Sequence, residues 1–285
     1  MSKKKVFKAA RVDETYYWDR IDRNIGIISR EEQGILKNST IGIAGCGGMG
    51  GLVAAQFARI GVGYLKIADC EVFDRSNINR QFGAMFDTVG KNKAVVTAQE
   101  IRRITPDLRI DVYDEGINED SVEDFVKGCS VVCDEIELFA IKPRLMLHKT
   151  ARSFGVPVFC CDVIGFGTRI FFFSPDSMTM EELLGLSGDE KIEPWIVRRL
   201  LERFAPESPN EFTEELIVSM FIGEKKAAIF GGTPLISSGI LVDSVCLFLI
   251  GTDHRPWIVP VPKMPGYCLF DAGEWKTRVV RGKWW

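Results

Sequence analysis

The sequence predicts an α/β protein: a Rossmann-like, mostly parallel sheet with helices on both faces, a helical insert and short antiparallel strands near the C-terminal end. Three observations carry this. A short apolar run, residues 41–44, leads straight into a glycine turn, Gly45-x-Gly47-x-x-Gly50. Asp69 follows nineteen residues after Gly50, at the end of a second apolar run, residues 64–68. From residue 40 to about 161, apolar runs alternate with helix-period segments, the pattern of parallel strands joined by crossover helices.

Taken in order, residues 13–38 read as helical and charged. Strands follow at 41–44, 64–68, 110–113, 131–133 and 158–161. Between them, 91–104 places Ala94, Val95, Ala98, Ile101 and Ile104 on one helical face. Residues 121–127 and 140–154 also read as helices. Another strand, 168–173, ends at Pro175. Residues 176–230 are charged and helical, broken at Gly188, Pro194, Pro206 and Pro209, and contain neither cysteine nor histidine. They suit a helical cap or a substrate-facing lid. An apolar helix over 235–250 follows, then strands at 267–271 and 276–280 around an Ala272-Gly273 turn. The expected organisation is a nucleotide-binding α/β domain with N-terminal helices over 1–175, an insert over 176–228, and a helix and strands over 229–285 completing the first domain.

Composition narrows the function. With 285 residues and a net charge of −3, the chain is long enough for a full core and shows no nucleic-acid footprint. The basic start, Met1 to Lys5, has no apolar stretch after it, so no signal peptide is expected. The 235–250 run is interrupted by Ser237, Ser238, Asp243 and Ser244, which favours a buried helix over a membrane span. None of the eight cysteines stands in a C-x-x-C pair, so free, buried thiols in a cytoplasmic protein are expected, and no zinc. The two histidines, His148 and His254, read as structural.

The chemistry lies beyond the glycine turn. Glycines let the backbone approach a phosphate, and the following helix N-terminus offers free N–H groups to an anion. After Asp69 comes Asp74-Arg75-Ser76-Asn77-Ile78-Asn79-Arg80-Gln81, then Lys93 at the start of a helix. An NAD-binding turn holds its pyrophosphate mainly through backbone N–H groups and does not need these cations. Arg80 can clamp phosphate oxygens in a bidentate way and Lys93 acts as a point charge, which suits a triphosphate. Either residue alone would read as a solvated surface charge.

With these residues in place, the sequence resembles the ThiF/MoeB/HesA adenylyltransferases, bacterial relatives of the ubiquitin-activating enzymes. The resemblance rests on Gly45-Cys46-Gly47-Gly48-Met49-Gly50, on Asp69, on Ser76-Asn77-Ile78-Asn79-Arg80-Gln81 and on Val89-Gly90-x-x-Lys93-Ala94. It covers roughly residues 17–175, and 229–280 more weakly. It implies that Asp69 holds the ribose of ATP while Gly45, Gly47, Gly48, Gly50, Asn77, Arg80 and Lys93 surround the phosphates. Arg20-x-x-Arg23 matches the family's early Arg-x-x-Arg-Gln, with Asn24 in place of the glutamine, which implies that Arg23 reaches the ATP of a neighbouring subunit. The family's Asp-x-x-Asp-Asn corresponds to Asp134-Glu135-Ile136-Glu137-Leu138, which puts Glu137 on the magnesium position and leaves Asp134 as a second candidate ligand.

The resemblance implies carboxylate adenylation with ATP and magnesium. A carboxylate is already ionised near neutral pH, so the reaction needs positioning and charge neutralisation rather than a general base. The family's second-step cysteine has no counterpart in 176–230, which predicts a cysteine-independent enzyme whose adenylate is captured by an external nucleophile. Cys160 and Cys161 end a central strand near the expected substrate edge. The expected substrate is the carboxylate of a small protein tail, a peptide or a metabolite. The resemblance and the 235–250 helix imply a homodimer, with no nucleic-acid or membrane partner. Two alternatives stay open: an NAD(P)-dependent oxidoreductase, which would leave Arg80 and Lys93 without a role, and a catalytically inactive binding partner, suggested by Glu137 and Leu138.

Overall fold

Strand β2 (Thr40–Ala44) forms the axis of the fold, paired in parallel with β3 (Tyr64–Ala68) on one side and β5 (Val131–Asp134) on the other. The computed structural model describes residues 4–137, 140–186, 213–222 and 224–283. Its strands lie in one nine-stranded sheet, in the order β1-β4-β3-β2-β5-β6-β7-β8-β9. The five central strands, with β4 (Arg109–Tyr113) and β6 (Val158–Ile164) outermost, run parallel. From β2 the chain steps outward through β3 to β4, then returns to β5 on the other side. That reversal opens a crevice at the carboxyl ends of β2 and β5, the usual ligand position in an open α/β sheet.

Both faces of the sheet are covered. Helix α3 (Gly50–Ile60), α4 (Lys93–Ile104) and α9 (Thr233–Ile250) bury Val53, Phe57, Ala98, Ile101, Leu241 and Val245 against Ile41, Ile43 and Phe159. On the other face, α5 (Val122–Val126), α6 (Ile141–Ser153) and α7 (Met180–Leu184) bury Phe125, Leu147 and Leu183 against Val132, Cys160 and Phe171. Strand β2 faces this packing on both sides, which explains its unbroken apolar run.

The N-terminal charged region resolves into α1 (Glu14–Arg20) and α2 (Arg30–Asn38), separated by a 3-10 turn, Asp22–Asn24. Helix α4 begins at Lys93 because the Asn92 side chain caps it, accepting from the Val95 N–H at 3.0 Å. Strand β6 runs to Ile164 and turns into β7 (Gly167–Phe173), which continues antiparallel through β8 (Gly266–Asp271) to β9 (Lys276–Arg281). Strand β1 (Lys5–Phe7), antiparallel to β4, has no counterpart in the sequence reading; three residues beside a lysine run leave almost no periodicity to detect.

The apolar helix begins at Thr233 and reaches 18 residues, long and apolar enough to cross a bilayer by length and composition alone. The helix is two residues longer than the 235–250 run read from the sequence. In this fold, Ser237, Ser238, Leu241, Val242 and Val245 are buried, while Leu235, Ile236 and Phe248 are exposed. Most of the expected insert, like Leu138, lies outside the described residues. Helix α8 (Glu214–Phe221) precedes the return to the sheet.

Candidate active site

The turn after β2 packs with no room to spare. Gly45 has φ +97°, and a Cβ there would lie 2.3 Å from the Glu135 carbonyl oxygen. A Cβ on Gly50 would lie 1.8 Å from the Gly45 oxygen. Gly47 and Gly48 have no such internal reason to be glycine. Their nearest neighbours are the side chains of Gln81, 3.8 Å from a Cβ at 47, and Arg80, 3.5 Å from a Cβ at 48. A methyl group there would fill the space between the turn and these two side chains. Helix α3 starts at this point with no side-chain cap on its first N–H groups, which suits an anion.

Asp69 closes the turn from the side. Its carboxylate accepts from the Cys46 N–H at 2.6 Å and the Glu71 N–H at 2.8 Å. Burial pushes this carboxyl above the usual carboxylate range, and the two N–H bonds oppose that shift. Asn92, which the sequence reading passed over, holds the Asp69 and Asp114 carbonyls at 2.9 and 3.1 Å. A lone asparagine just before a helical pattern was the available signal.

Lys93 is buried, and its ammonium pairs with the exposed Glu71 carboxylate at 2.5 Å. Arg80 approaches from the loop after β3. Its Nη1 donates to the Ser76 carbonyl at 3.1 Å and the Asn79 Oδ1 at 2.8 Å. Its Nε is buried without a hydrogen-bond partner, as is Gln81 Oε1. Burial lowers the Arg80 pKa, against the charges of Asp74 and Glu137. Asn77 braces the same loop: its Oδ1 accepts from the Asp74 N–H at 3.0 Å, while Asp74 Oδ1 accepts from the Ser76 N–H at 2.7 Å.

Glu137 belongs to this group. Burial pushes its carboxyl above the usual range and Glu71 adds to the shift, while Lys93 and Arg80 pull it back. Asp134 does not. It is completely buried on the α6 face, where Oδ2 accepts from Arg144 Nε at 2.7 Å and contacts His148 Nε2 at 2.9 Å, and Oδ1 accepts from the Ile136 N–H at 3.1 Å. Its expected metal role is corrected to an internal ion pair, because both oxygens are occupied within the protein. His148 takes its structural place in the same cluster. Magnesium binds through one or two carboxylates with phosphate oxygens and waters, so Glu137 alone fits that need.

Arg23 stands apart. It is exposed, and its neighbour Asn24 donates to the Ile60 carbonyl at 3.0 Å, at the far end of α3. Eleven helical residues separate that end from the glycine turn by roughly 16 Å. Cys160 and Cys161 are buried, with thiol pKa values raised by burial, the opposite of a reactive thiolate's setting. All eight cysteines are free.

Comparison with known proteins agrees with this architecture. Over 142 residues the chain is 32% identical to the SAMP-activating enzyme E1 of Haloferax volcanii, covering 49% of this chain and 52% of that protein. Over 125 residues it is 33% identical to the tRNA threonylcarbamoyladenosine dehydratase of Escherichia coli, covering 44% and 46%. The chain thus spans about half the length of these curated relatives. The crystal structure of PaaA shares the fold, with a TM-score of 0.68 at 21% identity over 95% of this chain and 84% of that one. Residues 21–254 match the ThiF family from the helices before the glycine turn to the end of α9, and the chain belongs to that family.

Proposed function

We propose that this protein adenylates a carboxylate using ATP. One observation carries the reading: Arg80 and Lys93 converge with Glu137 and Asp69 on the crevice beside a glycine turn that keeps open space facing Arg80 and Gln81. In this reading Asp69 accepts from the ribose hydroxyls. The first N–H groups of α3, with Arg80 and Lys93, neutralise the phosphates. The Arg80 Nε, buried and unpartnered, gains an acceptor when a phosphate oxygen enters. Lys93, itself buried, exchanges the exposed Glu71 carboxylate for a phosphate, so its charge keeps an anionic partner. Glu137 would hold magnesium, which supplies further charge neutralisation at the phosphates.

A substrate carboxylate oxygen attacks the α-phosphorus, forming the O–P bond of an acyl-adenylate. The bond from the α-phosphorus to the bridging oxygen breaks, and its electron pair leaves with pyrophosphate. No proton has to move, which accords with a crevice in which no histidine is described. The carboxylate is that of a small protein tail, a peptide or a metabolite. Cys160 and Cys161 are buried, and Cys70, exposed beside Asp69 contrary to the expectation of buried thiols, has a raised thiol pKa, so capture of the adenylate is left to an external nucleophile.

We infer that the protein works as a homodimer, as the family resemblance implies. Arg23, remote from its own glycine turn, then acts on the partner's nucleotide. The setting is cytoplasmic. ATP–pyrophosphate exchange across a panel of carboxylates tests the reading: exchange dependent on one carboxylate and abolished by Arg80→Ala is expected. Wild-type exchange in that variant, or binding of NADH in preference to ATP, overturns it.

A further inference from the structure

The loop that carries Arg80 is held from outside by a segment with no role in the reading above. Residues 224–232 connect the end of α8 to α9, and they cross the phosphate loop. Lys226 pairs with Asp74 Oδ2 at 2.5 Å and lies 3.4 Å from Ser76 Oγ. The Asn79 Nδ2 donates to the Ile229 carbonyl at 3.2 Å. Gly231 packs against the backbone of Asn79 so closely that a Cβ would stand 2.4 Å from the Asn79 carbonyl oxygen. At either end the segment is anchored elsewhere. The Ala228 N–H meets Met220 Sδ at 3.3 Å, and Thr233 Oγ1 donates to the Gly165 carbonyl at 3.0 Å.

The Asn79 side chain joins the two sides. Its Nδ2 is held by the Ile229 carbonyl, and its Oδ1 receives Arg80 Nη1 at 2.8 Å. One amide therefore fixes the guanidinium on one side and reports the position of the 224–232 strap on the other. We infer that Asn79 is a positioning residue that couples this strap, and through it the end of the insert, to the phosphate-binding geometry of Arg80.

The physical consequence follows from the bonds. When the strap sits on the loop, Arg80 Nη1 is tied to Asn79 and Ser76, and its buried Nε is left to receive a phosphate oxygen. When the strap lifts, the Asn79 amide loses the acceptor that orients it, and the guanidinium regains rotamer freedom that must be lost again on binding. ATP therefore binds more tightly to the strapped form. By reciprocity, bound ATP holds the strap down by the same factor.

The inference rests on the assignment of Arg80 to ATP, and the test separates the two. ATP affinity of the full-length protein is measured by calorimetry for wild type, Arg80→Ala, Lys226→Ala, Gly231→Ala and the double variants with Arg80→Ala. The strap substitutions are expected to weaken ATP binding three- to tenfold in the wild-type background and less than twofold once Arg80 is gone. Equal fold-losses in both backgrounds overturn the coupling and leave the ATP assignment standing. Unchanged affinity in Arg80→Ala removes the assignment itself. Lys226→Ala keeps the test decisive if Gly231→Ala does not fold. A second readout is tryptic cleavage after Lys225 and Lys226, both exposed. Saturating ATP is expected to slow cleavage in wild type but not in Asn79→Ala. Equal protection in both, or none in wild type, refutes the relay.

Discussion

Replacing Asp134 with asparagine separates a structural carboxylate from a metal ligand. The side chain is fully buried, and the Arg144 and His148 side chains that meet it are each only 4% exposed. Asparagine keeps the shape and one acceptor for the Ile136 N–H, but removes the charge opposite a buried guanidinium. Breaking a buried ion pair by deleting one partner costs about 3–5 kcal/mol. At roughly 2–4 °C per kcal/mol for a chain approaching this size, the midpoint falls by about 6–20 °C. Urea unfolding followed by far-ultraviolet circular dichroism reads the free energy directly. The double variant Asp134→Asn, Arg144→Met is expected to recover part of the loss, because it removes both charges together. The pH dependence has a definite sign. Burial pushes the Asp134 carboxyl up, but Arg144 and His148 outweigh it and hold its pKa below the ordinary value of 3.8. A group depressed on folding stabilises fully above its unfolded pKa and loses that contribution as pH falls through the folded value. The gap between wild type and variant should therefore close as pH falls below the ordinary carboxylate value towards the depressed pKa of Asp134. A midpoint within about 2 °C of wild type, combined with loss of magnesium-dependent ATP binding, refutes the ion-pair assignment and returns Asp134 to the metal.

Other substitutions probe the crevice. Lys93→Ala removes a charge-assisted contact, and its ATP affinity measured by calorimetry should fall about ten- to a hundredfold, as expected for losing about 1.5–3 kcal/mol. Gly48→Ala, at a position with internal room for a methyl group, should leave the unfolding midpoint near wild type while weakening ATP binding; a parallel loss of both would place the defect in folding. Glu137 has a raised pKa, so as pH is lowered the magnesium enhancement of ATP binding should be lost at a higher pH than an ordinary glutamate would give. The same titration on Glu137→Gln should be flat, and a wild-type slope in that variant would remove the residue from the metal site. Arg23→Ala should lose exchange alone and regain part of it when mixed with Lys93→Ala subunits, because each mixed dimer then contains one intact composite site.

The glycine turn and its strand were legible because their constraint is local. Gly45 and Gly50 are glycines for steric reasons confined to one turn, and the apolar runs on either side follow from burial on both faces. Arg80 and Lys93 were legible as a pair, since two cations at that spacing after Asp69 exceed the needs of an NAD site. Partners brought from a distance were not legible. The Ile229 carbonyl opposite Asn79 and Lys226 opposite Asp74 depend on where the chain returns after the insert, and no spacing rule encodes that return; Glu71 opposite Lys93 depends on how the loop after β3 folds back on the start of α4.

The acidic run 134–137 shows why residue type alone could not assign the metal. A strand alternates its side chains between faces, so neighbouring carboxylates at a strand end are sent to different environments. Asp134 is the last residue of β5 and takes the face of Val132, towards α6, where Arg144 and His148 complete it. Glu135 takes the other face, its Oε1 buried without a partner and its carboxyl pushed well above the usual range by burial. By Glu137 the strand has ended, and the surrounding charges are Glu71, Lys93 and Arg80. Three carboxylates within four residues thus do three different things, and the chain direction after β5 decides which one meets the phosphates. The family's usual pair of aspartates here reduces to one anchor inside the protein and one glutamate near the crevice, the residue proposed above to hold magnesium. The extra methylene of Glu137 lets the carboxylate extend beyond the strand end, which is where a metal shared with phosphate oxygens would have to sit.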